Sequence, residues 1–180
     1  DVWVAGDHIA FHWNGSAWTS FTFPAKVTGL WGGSGTDLWA VGNDVILHYD
    51  GTSWTTSWSN STTTHSNLRS VWALSATDAW AVSGTGVMRW SGTQWNASTS
   101  AKGAAVFGRS SNDVWVVSGL DSSYHFDGVN WTKTTLVGNR WGVGVSGVTG
   151  GSGASTDVLA VGGNGVLLRK TSSLTTTAGL

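Results

Sequence analysis

One phrase recurs five times along this chain. Asp1-Val2-Trp3-Val4-Ala5-Gly6 returns as Asp37-Leu38-Trp39-Ala40-Val41-Gly42 and as Asp78-Ala79-Trp80-Ala81-Val82-Ser83. It returns again as Asp113-Val114-Trp115-Val116-Val117-Ser118 and Asp157-Val158-Leu159-Ala160-Val161-Gly162. The five Asp stand 36, 41, 35 and 44 residues apart. A period of that size marks a repeat architecture.

The second copy shows the unit most clearly. Val27–Trp31 is a short apolar run, ended by the turn at Gly32–Thr36. Asp37 opens the next run, and Gly42-Asn43-Asp44 turns the chain. Val45–Tyr49 is a third run, closed by the hairpin signal Asp50-Gly51, and Trp54 begins a fourth. Four strands of about 5 residues with turns of about 3–5 fill the observed period.

Composition agrees with strands. Gly, Ser, Thr, Val and Trp dominate, and every acidic residue is Asp. Residues that favour helix, such as Glu, Lys, Gln and Met, are scarce. Charged residues make up 11% of the chain, against about 25% in an average domain. The net charge of −1 gives no basic surface for nucleic acid. No apolar run approaches the ~20 residues of a membrane-spanning helix.

A four-stranded antiparallel unit hides neither its faces nor its edges alone, and radial stacking of such units solves both problems. The expectation is an all-β fold, a β-propeller of four-stranded antiparallel blades. Five repeats are visible, the first lacking its innermost strand. Residues 1–174 are read as one domain and 175–180 as a flexible tail. The fifth copy is eroded: Leu159 replaces the Trp, and Lys170-Thr171 replaces aromatic-Asp.

The unit Asp37–Gly42 followed by His48–Trp54 resembles the tectonin-type β-propeller repeat. It also looks like the Trp-rich propeller repeats of large exported proteins of bacteria such as myxobacteria. The resemblance covers about residues 1–174. It implies glycan binding, since characterised tectonin-like propellers are commonly lectins, and an exported or cell-surface location. Spacing departs from the family near 56–66 and 139–156, so some of several equivalent sites would be missing.

Candidate binding residues fall at three repeated or irregular places. Trp18, Trp54, Trp95 and Trp131 follow the Asn/Asp/Ser-Gly turn, where an indole face could stack on a sugar and its N–H donate a hydrogen bond. The competing reading is packing between blades. A second position alternates His12, His48, Arg89, His125 and Arg169. It could offer donors to a ligand, or each side chain could satisfy a backbone carbonyl of the adjacent blade. Trp58 lies in an insertion, outside the repeated positions, and Arg140 and Trp141 lie in the other. The repeated Asp is read as accepting backbone N–H groups at the turn.

Catalytic chemistry finds no support. Hydrolysis of glycosides uses two convergent carboxylates, and the Asp here belong to repeat turns. There is no Cys nucleophile, no phosphate loop and no metal motif. No cofactor or metal is expected. Two functions remain: a lectin-like propeller binding glycans or cell-surface polysaccharide, and a structural or protein-interaction propeller within a larger surface protein or assembly. The second predicts an exposed apolar patch or an open blade edge.

Overall fold

The structure is a computed structural model that describes residues 1–60, 66–118, 122–135, 148–149, 158–162 and 166–170, the last three stretches as backbone. Among these residues there are strands and no helix, and hence no helix long and apolar enough to cross a membrane.

The first sheet runs in the order β1 (Val2–Trp13), β2 (Trp18–Ser34), β3 (Asp37–Gly42), β4 (Val45–Tyr49) and β5 (Trp54–Ser59). The second holds β6 (Leu68–Ser75), β7 (Asp78–Ser83), β8 (Val87–Trp90) and β9 (Trp95–Thr99). The third holds β10 (Ala105–Ser110), β11 (Asp113–Val117), β12 (Ser122–Phe126) and β13 (Trp131–Thr135). A three-stranded sheet follows, from β14 (Val148–Thr149), β15 (Val158–Gly162) and β16 (Val166–Lys170). All pairings are between antiparallel neighbours in sequence, as short turns require.

The repeat period maps onto these sheets strand by strand. The first-run aromatics lie opposite the repeat Trp: Trp31 faces Trp39, Trp72 faces Trp80, and Phe107 faces Trp115. The first two repeats share one five-stranded sheet rather than forming separate four-stranded blades, because β2 runs unbroken from the last strand of the first repeat into the first strand of the second. The junction Phe23-Pro24-Ala25-Lys26 holds no Gly, and Pro keeps an extended φ there.

β1 folds back on itself. Asp1 lies 2.7 Å from His12, yet a straight strand would hold these residues roughly 36 Å apart. The reversal falls at Asp7, which has a left-handed φ of 53°. Asp44 takes the same conformation, φ 57°, between β3 and β4. Both are Asp, a residue that tolerates this region.

Sheets pack face to face through three apolar clusters. Ala10 and Phe23 of the first repeat meet Ala40, Val45 and Leu47. The opposite face of the second repeat, Trp39, Val41 and Ile46, meets Val71, Ala73, Ala79 and Ala81. Trp80, Val82 and Val87 then meet Val106, Val114, Val116 and Phe126. Central strands are therefore covered on both sides, which explains why β3 and β7 read as unbroken apolar runs rather than alternating ones. Hydrogen bonds stitch the sheets as well. Thr28 Oγ1 donates to Leu68 O at 2.8 Å, and the Trp31 indole donates to Ala73 O at 2.9 Å.

Candidate functional site

The repeated Asp, Trp and His/Arg positions converge into one cluster in each of the first four repeats. Asp37 opens β3, Trp39 follows two residues on, and His48 stands opposite Trp39 on β4. Side chains two apart on a strand share a face, and direct cross-strand partners touch. His48 Nε2 accordingly meets Asp37 Oδ1 at 2.8 Å while its ring stacks on Trp39 with centroids 4.1 Å apart.

The cluster is repeated with small variations. His12 lies 2.7 Å from Asp1 and stacks on Trp3 at 4.1 Å, 7° from parallel. Arg89 Nε donates to Asp78 at 3.2 Å, with its guanidinium 4.7 Å above the Trp80 ring. His125 meets Asp113 at 2.9 Å and stacks on Trp115 at 4.0 Å. Both stacked imidazole and guanidinium are flat groups, so one geometry accepts either.

Two expectations are corrected here. For His12, His48, Arg89 and His125 the partner is the carboxylate of their own repeat rather than a carbonyl of the adjacent blade. The repeated Asp correspondingly accepts from a side chain across the sheet. The Asp-to-His/Arg spacing of 11 residues, 12 in the fourth and fifth repeats, was the signal for this pairing.

Asp113 carries additional donors. Trp115 Nε1 donates to it at 2.8 Å, and Arg109 binds its other oxygen. Burial pushes this carboxyl up, but the hydrogen bonds from His125, Trp115 and Arg109 outweigh burial and hold it below the usual carboxylate range.

The turn residues behave as expected. Asn14, Asp50 and Asp127 each accept from the amides two and three residues on, at 2.7–3.0 Å. The next residue is Gly in each case, with φ of 93–98°. The amides of Ser53 and Thr52 hold the Asp50 carboxyl below its ordinary value, and those of Asn130 and Val129 do the same for Asp127.

These turns bring two aromatic rings together in every described repeat. Tyr49 and Trp54 lie 5.4 Å apart, Trp90 and Trp95 5.7 Å, and Phe126 and Trp131 5.3 Å. Each pair receives the Trp of the preceding repeat. Trp3 meets Trp54 edge-on at 5.9 Å, Trp39 meets Trp95 at 5.4 Å, and Trp80 meets Trp131 at 5.7 Å. Sequence reasoning missed this receptor, though the five-residue spacing within each pair was visible.

The candidate residues now have places. Trp95 is buried and donates to Ser57; Trp131 donates to Ser98. The indole N–H of Trp54 is buried, as are those of Trp39 and Trp80. Trp58 is half-buried on β5 opposite Ile46, packed on the cluster around Trp39. Its insertion thus begins as strand, accommodated by a bulge between Ile46 and Leu47. Trp18 differs from the other three turn-following Trp: it is 55% exposed, 5.7 Å from Trp13. Arg140 and Trp141 lie outside the described residues, as do Asp157 and the proposed tail; for Arg169 only the backbone is described.

Among the described residues the exposed large apolar side chains concentrate on the first repeat, at Val2, Val4, Ile9, Phe11 and Trp18, with Leu74 and Val129 elsewhere. An open cleft of about 340 Å³ lies between the first and second repeats, lined by Asp1, Trp3, Leu30, Trp31, Ser34 and Leu38 among others.

The sequence matches no protein-family model and no curated protein. Solved structures share the fold. The chain is similar to YCF48 bound to D1 peptide, with TM-score 0.63 and 18% identity over 93% of this chain and 58% of that one. It is similar to the extracellular domain of the hybrid two component system BT3049 from B. thetaiotaomicron, with TM-score 0.58 and 11% identity over 84% of this chain and 24% of that one. The computationally designed Ika8 protein gives TM-score 0.61 and 8% identity over 94% and 57%. YCF48 and the BT3049 domain are propeller-like, and at such identities the likeness concerns the fold alone. The chain spans less than two thirds of each of them.

Proposed function

We propose that this chain is a non-enzymatic β-propeller domain that docks other protein surfaces within a larger exported or surface-displayed protein or assembly. The observation that carries this reading is the apolar outer face of the first repeat, with Val2, Val4, Ile9, Phe11 and Trp18 exposed together. Contiguous exposed apolar surface marks places where protein surfaces meet. Completion of the stacked sheets into a ring by such a partner belongs to the same proposal, since radial stacking protects both faces of every sheet. The likeness to YCF48 bound to D1 peptide supports a protein partner, and the likeness to an extracellular domain supports an exported location.

The absence of catalysis is supported by where the carboxylates are spent. Asp1, Asp37, Asp78 and Asp113 pair with His or Arg, and Asp50 and Asp127 bind turn amides. None of these is half of an unengaged pair of the kind glycoside hydrolysis needs.

A lectin-like reading is favoured by one observation, the exposed Trp18 tilted 43° to Trp13, a platform on which sugar CH groups can stack. Against several equivalent sugar sites stands the packing of Trp54, Trp95 and Trp131 between sheets. The tectonin-type resemblance fits either reading.

Panning a phage-displayed random peptide library against the folded chain, with Phe11→Ser as the counter-target, separates the two. Enrichment of peptides that depend on Phe11 is expected. A glycan array with hits lost in Trp18→Ala, and no peptide enrichment, would replace protein docking by sugar binding.

A further inference from the structure

The outer face of the first repeat has the form of a sheet-to-sheet interface that lacks its incoming Trp. We propose that its occupant is a further repeat of the Asp-x-Trp type, presenting a Trp backed by His or Arg. This deepens the protein-docking reading and rests on it.

Counting from the repeat Asp identifies the face. Val2, Val4, Ile9 and Phe11 hold the same offsets as Leu38, Ala40, Val45 and Leu47 in the next repeat. The first set is 48%, 53%, 37% and 41% exposed; the second is 3%, 0%, 3% and 1% exposed, covered by the first repeat. In the third and fourth repeats the first two offsets are Ala79 and Ala81, then Val114 and Val116, all fully buried against the preceding sheet. Burial at these positions is the rule of the fold, and the first repeat is its exception.

The aromatic receptor is already formed on that face. Trp13 and Trp18 lie 5.7 Å apart at 43°. The pairs Tyr49–Trp54, Trp90–Trp95 and Phe126–Trp131 lie 5.3–5.7 Å apart at 33–40°. Those three each accept an indole edge-on, at 76–83°. Edge-to-face placement sets the positive rim of one ring against the negative face of another, which makes a preformed pair selective for a third aromatic. The fifth repeat of this chain carries Leu159 where the incoming Trp would stand. It therefore has no indole to offer, and the complementary surface is another repeat with Trp two residues after its Asp and His or Arg at offset 11.

The test joins a copy of residues 78–112 directly ahead of Asp1. That copy brings Trp80 and Arg89 as the incoming cluster, and the sequence of β10 as a first strand for the repeat that follows. Readouts are the oxidation rate of Trp18 by hydroxyl-radical footprinting and the cost of Trp18→Ala in the original and lengthened chains. Expected is at least a several-fold slowing of Trp18 oxidation in the lengthened chain. Trp18→Ala should lower its Tm by about 5 °C or more while leaving the original chain nearly unchanged. A second chain lengthened with residues 37–77, carrying Trp39 and His48, repeats the readout with a different blade. Failure of both lengthened chains to protect Trp18, from misfolding or from lack of docking, overturns the proposal. Equal loss on Trp18→Ala in original and lengthened chains also overturns it, because the chain's own segments would then already cover the pair. Phe11-dependent peptide enrichment without Trp18 protection sinks this inference while leaving the broader docking reading in place.

Discussion

His48 reaches across from β4 to the carboxylate of Asp37 on β3, 2.8 Å away, and lies flat on Trp39 between them in sequence. Both side chains of the pair are about one-fifth exposed. The contact fixes the imidazole over a fully buried indole at a sheet-to-sheet boundary. The same relationship holds in each described repeat, with Arg89 in the third.

Breaking the pair should loosen the whole stack. His48→Ala leaves Asp37 half-buried without its partner and exposes one face of Trp39. The expected loss is about 1–3 kcal/mol of unfolding free energy, read from urea denaturation. His48→Arg should retain most of that stability, because Arg89 serves the same position one repeat further on. An Ala variant as stable as the parent would remove the cluster's structural role.

Acid should act in part through Asp113. Its folded pKa lies below the unfolded value, so the stability it contributes is complete above about pH 4 and is lost as pH falls through the lower folded value. The Tm of the parent should drop as pH falls below about 4, and Asp113→Asn should flatten that part of the curve while lowering Tm at pH 7. Parallel curves for the two proteins would contradict this assignment.

Trp95 and Trp18 hold the same repeat position but opposite environments. Trp95 is 8% exposed, meets Trp39 edge-on and donates to Ser57. Trp95→Ala should cost about 3–5 kcal/mol, whereas Trp18→Ala should stay within about 0.5 kcal/mol in the chain as it stands. Equal costs in equilibrium denaturation would mean that the two repeats are packed alike.

Gly108 lies under the Trp72 ring, where an added Cβ would collide with three ring carbons. Trp72 is 3% exposed and has nowhere to move without opening the cluster with Phe107. Gly108→Ala should therefore destabilise by about 1–3 kcal/mol through overpacking. Gly6, with no atom within 4 Å of an added Cβ, is the matched control.

Much of the fold was legible because the repeat reports strand and turn chemistry directly. Asp50-Gly51 and Asp127-Gly128 announced their hairpins through residues that the turn geometry needs. The continuous path of β2 was less visible, since Pro24 reads as a break but its φ also suits an extended chain. The candidate site was legible in its positions and not in its partners. His12, His48, Arg89 and His125 were singled out by recurrence. Their bond to Asp1, Asp37, Asp78 and Asp113 depends on cross-strand register, which a list of residues does not state. For the same reason Trp18 looked equivalent to Trp54, Trp95 and Trp131. Only the stacking of sheets separates a ring that receives a neighbour's indole from one that faces solvent.

Hydroxyl-radical footprinting of all the Trp in the native chain tests the account most directly. It reads at once whether the register rings pack inside the stack and whether the first repeat's outer face is open. Trp18 should oxidise fastest among Trp18, Trp39, Trp80 and Trp95, with Trp39 and Trp80 protected until the chain unfolds. Rapid oxidation of Trp39 or Trp80 in the folded protein, or protection of Trp18 to their level, would contradict it.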